Sequence, residues 1–207
     1  EVSLNQALFE KEGVEVIGVV LNKVTADKID YISDFARRGL KRKGLELLGV
    51  IPHQPILSRP TLNLIQEELN AESLNDCLTS NALVSEVVVG AMGVHNAIPY
   101  FKKGVLLITP GDREDILLAA ATTLSNPDGR SMAGIVLTGN LRPGESILRV
   151  IREMPYPVLL ARDDSYKVAS KVHDLIVKTR PDDTLKIELI RDMIAKHVDI
   201  KRILNSL

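Results

Sequence analysis

The sequence predicts an α/β protein built on parallel sheets. Three observations carry that reading. Short apolar runs alternate with amphipathic helical stretches along the whole chain. The runs are continuously apolar, the pattern of strands covered on both faces. Several of them end in a Gly-rich or acidic cluster that leads straight into a helix.

Taken in order, Leu4, Leu8 and Phe9 give an opening helix its apolar stripe, and Gly13 closes it. The chain starts at Glu1 rather than Met, directly in this helix, so a preceding segment is expected. Val16-Ile17-Gly18-Val19-Val20-Leu21 reads as a strand covered on both faces, ending at Asn22-Lys23. Ile29, Ile32, Ala36 and Leu40 share one face of the long helix that follows. Arg37, Arg38, Lys41, Arg42 and Lys43 crowd its end. The helix dipole favours cations there, so a solvated face is preferred to a phosphate site. Leu47-Leu48-Gly49-Val50-Ile51 is a second strand, ending at Pro52-His53. Ser58-Arg59-Pro60-Thr61 starts another helix, with Pro60 in its first turn and Leu62, Ile65 and Leu69 inward. Residues 70–83 are polar and mixed (Asn70, Glu72, Ser73, Asn75, Asp76, Thr79, Ser80, Asn81) and mark a boundary between domains at residues 1–80 and 81–207.

In the second region four strands each deliver a polar cluster. Val87-Val88-Val89 ends in Gly90-Ala91-Met92-Gly93. Residues 105–108 end in Thr109-Pro110-Gly111-Asp112-Arg113, before a helix marked by Ile116, Leu117, Ala120, Ala121 and Leu124. Gly134-Ile135-Val136-Leu137 ends in Thr138-Gly139-Asn140, and Pro143-Gly144-Glu145 opens the next helix. Pro157-Val158-Leu159-Leu160-Ala161 ends in Arg162-Asp163-Asp164-Ser165. In a parallel sheet these ends share one edge, where open α/β sheets bind ligands. Asp112 stands where an N-cap belongs and Asp115 in the place of a capping-box acid, so plain cap chemistry is the competing explanation. The recurrence of the clusters favours ligand binding by Asp112, Arg113, Asp115, Thr138, Gly139, Asn140, Asp164 and Ser165. The Arg113 guanidinium, beside a helix N-terminus, is the expected anion contact. Ile187, Ile190 and Ile194 mark a helix after Arg180-Pro181-Asp182-Asp183, and residues 198–204 form a last one.

Composition narrows the function. In 207 residues, 45% hydrophobic content suffices for a packed core, while aromatics are only 3% and Trp is absent. Stacking platforms for single-stranded nucleic acid are therefore missing, and a formal net charge of -1 disfavours binding by bulk electrostatics. The lone Cys77 excludes an internal disulfide and a Cys-based zinc site. No apolar run reaches membrane-spanning length and no signal peptide precedes the first strand, so a soluble cytoplasmic protein is expected, with neither membrane nor nucleic acid as partner. His53, His95, His173 and His197 do not pair at ligand spacing, and no metal site is predicted. No Gly-x-Ser-x-Gly elbow occurs, Cys77 has no evident base partner, and no Gly-x-x-x-x-Gly-Lys-Ser/Thr loop is present. No catalytic residue is assigned.

These residues carry a resemblance. Gly111-Asp112-Arg113 with Asp115-Ile116, then Leu137-Thr138-Gly139-Asn140, then Pro157-Val158 leading to Asp164-Ser165-Tyr166, resemble the signatures of the DRTGG domain. The second signature reads Thr-Gly-Asn rather than Thr-Gly-Gly, and Asn140 is able to adopt the left-handed turn that the motif requires. Gly18-Val19-Val20-Leu21-Asn22-Lys23-Val24 and Leu48-Gly49-Val50-Ile51-Pro52 resemble the second half of a dethiobiotin-synthetase-like P-loop domain, without its Walker-type loop. That order is similar to the N-terminal, non-catalytic region of long-form phosphotransacetylases, whose stand-alone homologues are often labelled cobyrinic acid a,c-diamide synthase-like.

The resemblance implies a partial P-loop-like domain followed by a Rossmann-like DRTGG domain. It implies a regulatory module that binds a nucleotide or small anionic metabolite and associates as a homodimer or larger homo-oligomer. Asn22 and Pro52 would be the remnant of a nucleotide-base pocket. Neither ATP hydrolysis nor acetyl transfer is expected of this chain. The alternatives are a fragment of an ATP-dependent ligase or amidotransferase of the dethiobiotin or cobyrinate type, and a purely structural dimerisation domain.

Overall fold

The computed structural model describes residues 2–77, 82–122, 132–181 and 183–206. Thr79, Ser80, Asn81, Leu124 and Asp182, singled out above, lie outside the described residues. In chain order the elements are α1 (Val2–Lys11), β1 (Val19–Val24), α2 (Ile29–Lys41), β2 (Leu47–Pro52), α3 (Leu62–Leu69), β3 (Glu72–Ser73), β4 (Glu86–Val89) and α4 (Val94–Ala97). They continue with β5 (Val105–Pro110), α5 (Glu114–Thr122), β6 (Gly134–Thr138), α6 (Glu145–Arg152), β7 (Val158–Leu160), α7 (Ser165–His173), α8 (Thr184–His197) and α9 (Ile200–Asn205). The chain divides into two compact units, Glu1–Leu57 with Lys178–Leu207, and Ser58–Val177.

In the first unit β1 and β2 pair in parallel across the α2 crossover. The β1 strand begins at Val19 rather than Val16 and runs on through Asn22-Lys23 to Val24. Its pairing shifts register between Leu21 and Val24, where Lys23 takes a left-handed φ of 62°. Among its residues only Val24 is buried, so the expected two-sided cover is not met within the described residues. On α2 the inward side ends on buried Leu40, while Tyr31 and Phe35 stack at 6.3 Å on the exposed side. The free edge of β2 is closed by the segment joining α8 to α9, through a Gly49–Val198 bridge and Asp199 N–H donating to Leu48 C=O at 2.8 Å. Helix α8 buries Lys186 and Met193, seven residues apart on one face, and leaves Ile187, Ile190 and Ile194 half-buried; the expected isoleucine stripe is rotated off the contact.

The second unit is a five-stranded sheet in the order β3-β7-β6-β5-β4, parallel except for antiparallel β3. The strands β5, β6 and β7 are buried along nearly their whole length, as continuous apolar runs predict. Two cores lie on opposite faces. Leu107, Ile135, Leu137, Val158 and Leu160 pack with residues of α4, α5 and α6. Leu106, Ile108, Val136 and Leu159 pack with residues of α3 and α7. The strands β4 to β7 follow one another across the sheet in sequence order, so no strand-order reversal opens a crevice between them.

The stretch 70–77 is part of the second unit rather than a boundary. It contributes β3, paired with β7, and Asn75, one of the few buried polar residues. The contact boundary falls at Ser58 rather than near residue 80, because α3 places Leu62, Ile65 and Leu69 in the core of the sheet. Pro60 lies outside that helix, since Thr61 is its N-cap and its side chain accepts from Leu64 N–H at 3.3 Å. Likewise residues 178–207 group with the first unit, not with the sheet that precedes them.

Candidate functional site

Parallel pairing brings the carboxyl ends of β4, β5, β6 and β7 to one edge of the sheet. The chain leaving each strand is hydrogen-bonded to the next. Gly111 N–H donates to Thr138 C=O at 3.3 Å, Gly139 N–H to Asp163 C=O at 2.7 Å, and Asn140 N–H to Ala161 C=O at 3.0 Å. Gly139 and Asn140 both take left-handed conformations, φ 77° and 56°, which a short polar side chain tolerates at the second position. Gly111 has no positive φ. It is glycine because the Leu141 carbonyl lies where its Cβ would be.

Arg113 is the centre of this edge. Its Nε and Nη2 donate to the two Asp115 carboxylate oxygens at 2.8 and 2.9 Å, a bidentate fork. Nη1 also donates to Gly90 C=O at 3.3 Å, and Nη2 to Met92 C=O at 3.0 Å. The fork raises the Arg113 pKa, and Arg113 holds the Asp115 carboxyl below the usual carboxylate range. One guanidinium thus straps the loop after β4 to the seam between β5 and α5.

The cap expected of Asp112 is absent. Helix α5 starts at Glu114, and it is the Arg113 carbonyl that accepts from Ile116 and Leu117 N–H, so Arg113 holds the N-cap position. Asp112 is one residue too early, and it stands exposed. Asp115 serves Arg113 rather than a capping box.

Thr138 is buried, and its hydroxyl meets that of Ser165 at 2.7 Å. Asp164 is the N-cap of α7, accepting from Lys167 N–H at 2.9 Å; that bond keeps its carboxyl below the ordinary value. Asp163 pairs with Lys171 at 2.7 Å and raises its pKa. Thr138, Gly139, Asn140, Asp163 and Ser165 are therefore one connected cluster, and Arg113 with Asp115 a second, linked to it through Gly111. Asn22 and Pro52 lie at the carboxyl ends of β1 and β2 in the other unit, where the Asn22 carboxamide oxygen accepts from Lys23 N–H at 2.8 Å. Among the described residues no group of His, Cys, Asp and Glu is arranged to hold a metal ion, and no helix is long and apolar enough to cross a membrane.

Sequence reading missed two residues that organise the region. Asn75 donates from Nδ2 to the carbonyls of Ile151 and Tyr156, at 3.1 and 3.0 Å, and accepts at Oδ1 from Val158 N–H at 3.0 Å. It therefore fixes the entry into β7. Arg142 reaches both Glu72 carboxylate oxygens, at 2.5 and 2.6 Å, and ties the loop after β6 to β3. Neither has a local motif, since both act across long sequence separations.

A mostly parallel sheet with helices on both faces and interlinked strand ends defines an α/β class of module, a fold tied to no single reaction. The DRTGG domain model matches residues 64–175, and the chain belongs to the DRTGG domain family. The chain is 34% identical over 194 residues to a phosphate acetyltransferase of Pseudomonas putida, covering 89% of this chain and 27% of that protein. It is 29% identical over 198 residues to a phosphate acetyltransferase of Nitratidesulfovibrio vulgaris, covering 93% and 28%. It thus spans little more than a quarter of these relatives. Among solved structures, it matches the CBS and DRTGG domains of the regulatory region of Clostridium perfringens pyrophosphatase, complexed with the activator diadenosine tetraphosphate. That match has a TM-score of 0.44 at 18% identity, covering 83% of this chain and 81% of that chain.

Proposed function

We propose that the chain is a regulatory, non-catalytic module of the phosphate acetyltransferase type. Its DRTGG half binds a nucleotide or small anionic metabolite at the carboxyl edge of the sheet. The observation that carries this reading is the coverage: similarity runs along 89% of this chain but only 27% of the Pseudomonas putida relative. Acetyl transfer is then the work of other parts of such proteins.

The geometry suggests how the edge would respond. Arg113 already acts as a carboxylate receptor for Asp115, whose side chain is half exposed. An incoming phosphate or carboxylate would exchange with Asp115 on the same guanidinium, while Gly90 and Met92 carbonyls keep the strap in place. Asp112 and Asn140, both exposed, would meet hydroxyl or base groups of the ligand. Gly139, Asp164 and Ser165 would add contacts to the ligand, with the buried Thr138 hydroxyl holding that of Ser165. In the first unit, Asn22 and Pro52 would border a nucleotide base.

Thermal melting with ATP, ADP and AMP, at fixed ionic strength, tests the exchange. Asp115→Asn should strengthen nucleotide-dependent stabilisation because the fork is vacated, and Arg113→Ala should abolish it. If none of the three nucleotides shifts the parent or the Asp115→Asn protein, the edge is a structural joint and the module acts by association alone.

A further inference from the structure

The first unit contains a cleft that the strand edge does not use. It has a volume of about 430 Å³ and is lined by Ile29, Ser33 and Arg37 of α2, by residues 47–50 of β2, and by residues 196–199 between α8 and α9. Two of its walls, β2 and the segment 196–199, are fixed to each other. Asp199 N–H bonds the Leu48 carbonyl at 2.8 Å, Val198 bridges Gly49, and Gly49 leaves room for the His197 carbonyl to lie against it. Beside it Arg202 pairs with Glu46 through Nη2 at 2.6 Å. A cleft built this way is formed before any ligand arrives.

Its lining is cationic. Arg37, Lys196 and His197 contribute to it, with the Ser33 hydroxyl one helical turn from Arg37 on the same face. The lining carboxylate, Asp199, is engaged as the N-cap of α9, accepting from Arg202 N–H at 3.0 Å. Lys196 has only a long contact of 3.8 Å to Asp192, with both side chains largely exposed. Arg38 is matched by Asp34 at 2.6 Å, whereas Arg37 has no acidic partner among the described residues. Unlike Arg38, Arg37 therefore lines a concave site with its charge unspent.

We propose that this cleft binds the phosphate group of a small phosphorylated metabolite. The Arg37 guanidinium and Lys196 ammonium would hold the phosphate oxygens, and the Ser33 hydroxyl and His197 ring would complete the donor set. Two full cations and further donors exceed what a single carboxylate engages, and they match a dianion. The volume lies at the lower end of small-molecule sites, roughly 300 to 1,000 Å³, which favours a metabolite over a macromolecular segment. The site lies in the first unit and stands independently of the nucleotide reading of the sheet edge.

The test titrates the full chain with inorganic phosphate and with pyrophosphate against sodium chloride of equal ionic strength, following thermal stability. A saturable stabilisation is expected, weakened by roughly tenfold or more in Arg37→Ala and in Lys196→Ala and partly retained in Arg37→Lys. Both side chains are exposed, so the variants without phosphate should melt as the parent does. Absence of a saturable response overturns the proposal. So does a response that survives Arg37→Ala and Lys196→Ala; if it disappears in Arg113→Ala, the phosphate is bound at the sheet edge.

Discussion

The backbone carbonyl of Leu141 rests against the α-carbon of Gly111, so the chain leaving β6 lies directly across the chain leaving β5. The glycine of the first signature is there for the residue that follows the second signature. Close approach, not backbone freedom, sets the requirement.

Gly111→Ala should therefore destabilise the protein by about 1–3 kcal/mol or more, the range for overpacking a tight contact. Gly39→Ala, in α2 with open space around it, should be neutral or stabilising by about 0.4–1 kcal/mol. Urea denaturation of both variants checks the contrast; equal effects would refute the steric reading.

Arg113→Ala should lower the stability of the ligand-free protein by about 1–3 kcal/mol, because it takes the guanidinium donor from the Met92 carbonyl and leaves the Gly90 carbonyl with the Thr109 hydroxyl. Asp112→Ala should change it by less than about 0.5 kcal/mol, since Asp112 caps nothing. An Asp112 N-cap, as the sequence pattern implies, would have made Asp112→Ala the costly change. A double-mutant cycle of Arg113→Ala with Asp115→Ala should show coupling between the two positions.

Acid should expose the same pair. Arg113 holds the Asp115 carboxyl below the ordinary 3.8, so its contribution is complete above that value and is lost as pH falls through the lowered native pKa. Asp164, held down chiefly by Lys167 N–H, has the same sign. Melting temperature should therefore drop more steeply below pH 4 in the parent than in Arg113→Ala. Parallel profiles would count against the pair as a source of acid lability.

Asn75→Leu should cost on the order of 3 kcal/mol, since the Tyr156 carbonyl and the Val158 N–H lose their side-chain partner within the core and the Ile151 carbonyl keeps only backbone donors such as Met154 N–H. Hydrogen exchange should show the entry to β7 opening first. Unchanged protection there would remove Asn75 from its role.

In solution we expect a homodimer or larger assembly. The edge strand β4 carries exposed Val87 and Val89, an edge that proteins usually cover. Light scattering at micromolar concentration measures it, and a clean monomer mass would argue against association.

Much of the sheet was legible because β5, β6 and β7 are unbroken apolar runs with polar ends, and burial on both faces leaves that mark in sequence. The left-handed turn at Asn140 was legible as local chemistry, whereas Asp164, read from the sequence as a ligand contact, caps α7. Asp112 misled because Arg113, held by three separate partners, starts α5 later than the capping pattern implies. Asn75 was hidden in a polar stretch that reads as a linker, since its partners lie some eighty residues away. The split of the first unit was equally invisible. Nothing in residues 178–207 announces that they complete β2, and only the bridge from Val198 to Gly49 reveals it.

That split has a consequence for the order in which the protein is made. The second unit is an insertion within the first, and Ser58 and Val177, where the chain enters and leaves it, line the same cavity of about 250 Å³. During synthesis the edge of β2 must wait, unpaired, until Val198 has left the ribosome. The insertion can fold in that interval from contacts of its own. A chain truncated before Val198 would keep the sheet of the insertion and release the first unit with an open strand edge, the form most prone to wrong pairing.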